Sequence, residues 1–127
     1  MEIRIYRDHK GFREKAYATV KDGSVYWGKK GWLEKPVLTI VEDKIYEGDK
    51  GWLEKPLAIV ESNQVFRGGK KGVFEAPLAT IEGEKVFEGE VGWFEKELAT
   101  VEPIDLMAGA AAAVLLLILE KNTAEED

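Results

Sequence analysis

The chain contains no cysteine, so neither disulfides nor thiolate metal sites hold it together, and a reducing, cytoplasmic compartment suits it. Its 127 residues include one histidine, His9, and two serines, Ser24 and Ser62, little material for nucleophilic catalysis. Basic residues number 18 against 24 acidic ones, giving a formal charge of −6. No basic stripe runs along the chain, which argues against nucleic acid as a partner, since phosphate binding depends on clustered Lys and Arg. The start, Met1-Glu2-Ile3-Arg4, lacks the apolar core of a secretory signal. The length fits one domain, residues 1–127, large enough to bury a core of its own.

What the chain has in abundance is repetition. An aromatic follows a β-branched residue at Tyr6, Tyr26, Tyr46, Phe66 and Phe87, about twenty residues apart. Glycine follows at Gly11, Gly31, Gly51, Gly72 and Gly92, and next comes a bulky residue: Phe12, Trp32, Trp52, Val73 or Trp93. Each copy closes on a small–branched run: Ala18-Thr19-Val20, Leu38-Thr39-Ile40, Ala58-Ile59-Val60, Ala79-Thr80-Ile81 and Ala99-Thr100-Val101. A fixed period of this length is the mark of a repeat architecture.

Each unit carries two short runs that fit a pleated surface, such as Ser24-Val25-Tyr26-Trp27 and Val37-Leu38-Thr39-Ile40. Polar segments at Lys21-Asp22-Gly23-Ser24, Glu42-Asp43-Lys44, Glu61-Ser62-Asn63-Gln64 and Glu82-Gly83-Glu84-Lys85 read as tight hairpin turns. The other connections are longer, and Pro36, Pro56 and Pro77, unable to donate to a ladder, mark loops or strand edges there. Residues 1–102 thus divide into five β-hairpin repeats. We expect Val20, Ile40, Val60, Ile81 and Val101 to face inward, and Thr19, Thr39, Thr80 and Thr100 to face away.

Residues 103–121 differ in kind. Leu106 to Leu119 contains no polar side chain, Asp105 can cap its start, and its Ala and Leu content favours a helix, about 24 Å long to Lys121. A helix apolar on every face must be surrounded. Fourteen apolar residues are short for a bilayer, which needs about twenty. The alternative is a ring of strands closed around the helix, which also removes bare sheet edges. The segment is graded, small at Ala111 and Ala112 and large at Leu115 and Leu116, which suits a tapered hub. The expected fold is all-β with one C-terminal helix: a closed, pseudo-fivefold ring of hairpins around a buried apolar axis. Residues 122–127 form an acidic tail.

The copies of Val25-Tyr26-Trp27-Gly28 and Ala79-Thr80-Ile81-Glu82-Gly83, with the tail Met107 to Leu117, make the chain resemble the small bacterial β-flower domains. Those domains set threefold or fourfold β-hairpin repeats around a central hydrophobic C-terminal segment. The likeness spans residues 3–119 and implies a fold without an activity. Five copies depart from it: either the chain is a fivefold relative, or Ile3 to Val20 completes a unit opened near the C-terminus. A weaker likeness, to MORN repeats, rests on spacing such as Tyr46-Glu47-Gly48 and does not account for the apolar tail.

Chemistry is sparse. Asp8 and His9 form half of a relay with no partner in the other repeats. Asp8, Asp49 and Glu90 at equivalent positions suggest oxygen ligands, but Lys29, Lys30 and Lys70 occupy that place elsewhere. Neither a metal nor a cofactor is expected. The aromatics Trp32, Trp52, Trp93, Phe12 and Phe74 suit sugar stacking, with avidity from repetition, although the adjoining Leu33, Leu53 and Phe94 favour packing over the sheet. The Glu-Lys dyads at 34–35, 54–55 and 95–96 read as a solvated surface. The expected function is a non-enzymatic structural or protein-interaction module, with self-association or a protein partner. A multivalent carbohydrate-binding module is the alternative, and a soluble head anchored to a membrane by the apolar tail is a further one.

Overall fold

Each short run rich in branched and aromatic residues forms a strand. The computed structural model describes residues 2–7, 15–28, 35–49, 55–69, 75–90 and 96–120. Ten strands follow in order: β1 (Glu2–Arg7), β2 (Ala18–Lys21), β3 (Ser24–Trp27), β4 (Leu38–Val41), β5 (Lys44–Glu47), β6 (Ala58–Glu61), β7 (Gln64–Arg67), β8 (Ala79–Glu82), β9 (Lys85–Glu88) and β10 (Glu97–Glu102). They form a closed antiparallel barrel in which each strand pairs with its chain neighbours and β1 pairs with β10. Closure leaves no unpaired sheet edge, as the sequence led us to expect.

The tight turns lie where the polar segments placed them. Lys21 pairs with Ser24, Val41 with Lys44, Glu61 with Gln64 and Glu82 with Lys85, leaving two-residue loops. The first loop residue has a left-handed backbone in each: Asp22 at φ 51°, Glu42 and Ser62 at 56°, and Gly83 at 61°. At Asp22-Gly23 the second residue is left-handed too, as a type I′ turn requires. A Cβ on Gly23 would also stand 3.1 Å from the Ile40 carbonyl oxygen, so space and backbone both select glycine.

The fifth pair has no turn. β1 and β10 match Ile5 with Val101 and Tyr6 with Thr100, the register in which β2 and β3 match Val20 with Val25 and Thr19 with Tyr26. The N-terminal strand thus completes a pair whose other member comes just before the helix.

Strand alternation produces two layers. Ala18, Val20, Val25, Val60, Val65, Ile81 and Val101 belong to the buried core together with Ala111, Ala112 and Leu115. Ile40 and Leu116 do not reach this core fully and pack against it half-buried, a correction to the expected inner set.

The threonines alternate with these core residues, yet Thr19, Thr80 and Thr100 are buried rather than solvated. The Thr19, Thr39 and Thr80 hydroxyls donate to the carbonyls of Gly28, Gly48 and Gly89 at 2.6, 2.6 and 2.7 Å. Each threonine also stands beside an aromatic of the neighbouring strand: Tyr26, Tyr46 or Phe87. A second, outer layer of aromatic and threonine side chains therefore covers the sheet, and the hydroxyls of Thr19, Thr39 and Thr80 are satisfied by the chain that leaves their hairpins.

Asp105 caps the helix as expected, its carboxylate accepting from the Ala108 backbone N–H at 2.9 Å. α1 (Leu106–Val114) then widens into a π-helical segment, Leu115–Leu119, in place of the uninterrupted α-helix expected from composition. The change falls where alanines give way to large side chains, which a wider turn spaces further apart. Ala108 and every residue from Ala110 to Leu115 are fully buried. A Cβ on Gly109 would lie 3.1 Å from Ile81 Cγ2, tighter than an ordinary contact, so this part of the helix admits little added bulk. Replacing Ala111 with Leu is expected to lower stability by about 1–3 kcal/mol through overpacking. Thermal melting checks this, and an unchanged Tm contradicts close packing around the helix.

Candidate functional site

β1, β3, β5, β7 and β9 finish at the end of the barrel toward which the helix runs, and the long connections leave from there. The aromatics proposed to stack a ligand, Trp32, Trp52, Trp93, Phe12 and Phe74, lie outside the described residues. So do Asp8 and His9. Among the described residues no group of three His, Asp or Glu side chains is arranged to hold a metal ion.

What the structure assembles at this end was not anticipated. The Arg7 guanidinium pairs with Glu120 Oε1 at 2.7 Å and lies 5.7 Å from the centre of the Tyr17 ring. The Tyr17 hydroxyl donates to Glu120 Oε2. Trp27 meets Tyr17 edge to face, with ring centres 5.5 Å apart, and remains 44% exposed. The cluster ties β1, β3 and the segment before β2 to the end of the helix. Burial pushes the Tyr17 hydroxyl pKa well above the ordinary phenol value, helped by the hydrogen bond to Glu120 and by its negative charge, while Arg7 acts in the opposite direction. Each polar contact is half-exposed and individually modest, near the about 0–1 kcal/mol of a surface ion pair.

Symmetry breaking was the available signal. Tyr17 occupies the place of Val37, Leu57, Leu78 and Leu98, and Trp27 that of Glu47, Arg67 and Glu88. Glu120 is separated from Tyr17 by 103 residues, and nothing local in the sequence joins them.

The second feature lies along β9 and β10. A surface groove of about 590 Å³ is lined by Glu84, Lys85, Glu97, Thr100, Val101, Glu102, Pro103 and Ile104. Glu97 stands where other units have Pro36, Pro56 and Pro77, another break in the repeat. Its Oε1 is buried without a hydrogen-bond partner, and Lys85 Nζ stands 3.9 Å away, an ion-pair distance beyond hydrogen-bond reach. Ile104 is 67% exposed and Leu106 41%, where the chain passes from the barrel into the helix. No described helix is long and apolar enough to cross a membrane.

The Tyr17 cluster carries a pH dependence. Its phenol ionises less readily folded than unfolded, so its contribution is complete below the unfolded value and declines as pH climbs past about 10. Denaturant titrations at pH 9 and pH 11 should show a smaller loss for Tyr17→Phe than for the parent chain. Equal losses contradict the coupling between Tyr17 and Glu120.

Neither a curated protein nor a solved structure matches this chain. One family model does, over residues 5–123, and its description is "6-fold beta flower protein". That multiplicity differs from the threefold and fourfold members whose likeness the sequence suggested, while the barrel described here has ten strands. With all but the ends of its sequence matched, the chain belongs to the sixfold β-flower family.

Proposed function

We propose that this chain is a non-enzymatic interaction module: a pseudo-fivefold ring of β-hairpins, with the C-terminal helix as its axis, that presents a fixed surface to a protein partner. The five-unit reading is supported by the matched registers of β1–β10 and β2–β3, and the axial reading by the complete burial of Ala110 to Leu115. A cytoplasmic setting fits the lack of cysteine.

The observation that carries the interaction reading is the exposure of Ile104 and Leu106 beside the groove of β9 and β10. A chain that buries fourteen consecutive apolar helix positions wholly or partly except at Leu106, yet leaves Ile104 bare on the approach, has an apolar feature to place against another surface. Family membership supplies a fold, and the function has to be argued from such sites.

Position-specific photo-crosslinking tests this. Benzoylphenylalanine at position 104 should give a discrete adduct in cells producing the protein, and the same group at exposed position 42 should give none. A diffuse ladder common to both positions, or no adduct at either, contradicts an interaction surface at Ile104.

A further inference from the structure

We infer that the last turn of the C-terminal helix is a two-register switch. A clasp of Glu120 on Arg7 and Tyr17 holds it in the π form, and release of the clasp returns it to the α ladder.

Glu120 is committed twice to the wide turn. Its backbone N–H donates to the Leu115 carbonyl, where an α-helix would use Leu116. Its carboxylate accepts from the Arg7 guanidinium at 2.7 Å and from the Tyr17 hydroxyl. A turn closed by an i→i+5 bond in place of i→i+4 holds one extra residue, so each side chain after it is set back by about 100° around the helix. Residue 120 thereby stands where residue 119 of an unbroken α-helix would stand. Without the wide turn Leu119 faces Arg7 and Tyr17, and the carboxylate lies roughly 8 Å away around the helix surface.

The segment that turns is nearly indifferent to its register. Leu115-Leu116-Leu117-Ile118-Leu119 offers one aliphatic side chain for another of equal volume at each place, an exchange that cores tolerate. Where Ile118 is buried in the π register, Leu117 takes its place in the other. Space for the movement lies beside the turn, in a cavity of about 140 Å³ walled by Leu98, Leu116, Leu117, Arg7 and Glu120 among others. Burial has no direction, so packing permits a wide turn here without choosing it. Position 120 is where the registers differ in chemistry, setting a carboxylate before Arg7 and Tyr17 in one and leucine in the other. The choice falls to the clasp. Its contacts are modest, as a reversible element requires, since neither state can lie far below the other.

Hydrogen-bond scalar couplings, measured by NMR on the full isotope-labelled chain, report the register directly. The parent chain should couple the Leu115 carbonyl carbon to the amide nitrogen of residue 120. Glu120→Leu sets leucine before Arg7 and Tyr17 in either register, so the ordinary ladder prevails. The Leu115 coupling should then fall to less than about half its parent size while one to Leu116 appears. The double variant Arg7→Gln, Tyr17→Phe removes the clasp from the barrel side, leaves the helix unchanged, and should act the same way. Glu88→Gln, which breaks the neighbouring pair with Lys96, should leave the coupling at Leu115. A coupling that stays at Leu115 without the clasp means that packing sets the wide turn, and it overturns the switch. A parent chain whose coupling already runs to Leu116 overturns it too. If Glu120→Leu fails to fold, the double variant alone decides between these outcomes.

Discussion

The architecture depends on a helix with no polar face. From Leu106 to Leu119 the side chains are apolar all round, so no single sheet or partner helix laid along one side would remove them from water. In the ring we propose, a surrounding barrel meets the requirement, and the composition of the helix sets how closely the strands approach. Alanines and Gly109 admit contacts such as that with Ile81, and the larger residues after Val114 occupy the end where the segment widens into a π turn. The hydrophobic term is proportional to area and indifferent to direction. Orientation therefore has to come from elsewhere: the Asp105 cap at one end and the Arg7–Tyr17–Glu120 cluster at the other.

Closure by β1 and β10 is the second constraint. Four strand pairs are held by two-residue turns, but this one depends on antiparallel hydrogen bonds and on the packing of Ile5 and Val101. The same seam is where the chain turns from the barrel into the helix, and where Ile104 and the groove lie. A location that must join the first strand, the last strand and the axis cannot repeat the chemistry of the other units. One substitution that breaks the pattern, Glu97 for proline, lies on β10 itself, and others, Tyr17 and Trp27, lie at the end of the helix. In our reading the pseudo-symmetry supplies the scaffold and its breaks supply the surface.

Features set by local chemistry were legible in the sequence. The twenty-residue period, the branched and aromatic runs, and the polar turns at Asp22-Gly23 and Ser62-Asn63 each follow from backbone preference, and the strands and turns lie there. The helix start at Asp105 was legible for the same reason. Burial in the outer layer was not. Alternation correctly set Thr19 and Thr80 apart from the aliphatic core, but it could not show that the Gly28 and Gly89 carbonyls would return to meet their hydroxyls. Nor did the repeat distinguish Ile40, which packs half-buried against the core, from its buried counterparts Val20, Val60, Ile81 and Val101. Tyr17 and Glu120 meet only because β1, β2 and the helix end converge. The candidate surface at Glu97 and Ile104 was signalled by a departure from the repeat, Glu97 in the place of Pro36, Pro56 and Pro77, and not by the repeated aromatics.

The central claim is that the apolar helix is the hub on which the strands are assembled. Truncation after Glu102, compared with the full chain by near-UV circular dichroism and thermal melting, tests it most directly. The account predicts loss of the aromatic signal and of a cooperative transition, because the barrel is left without its filling. A truncated chain that keeps both, and melts like the parent, contradicts the hub and assigns the helix a role outside the ring.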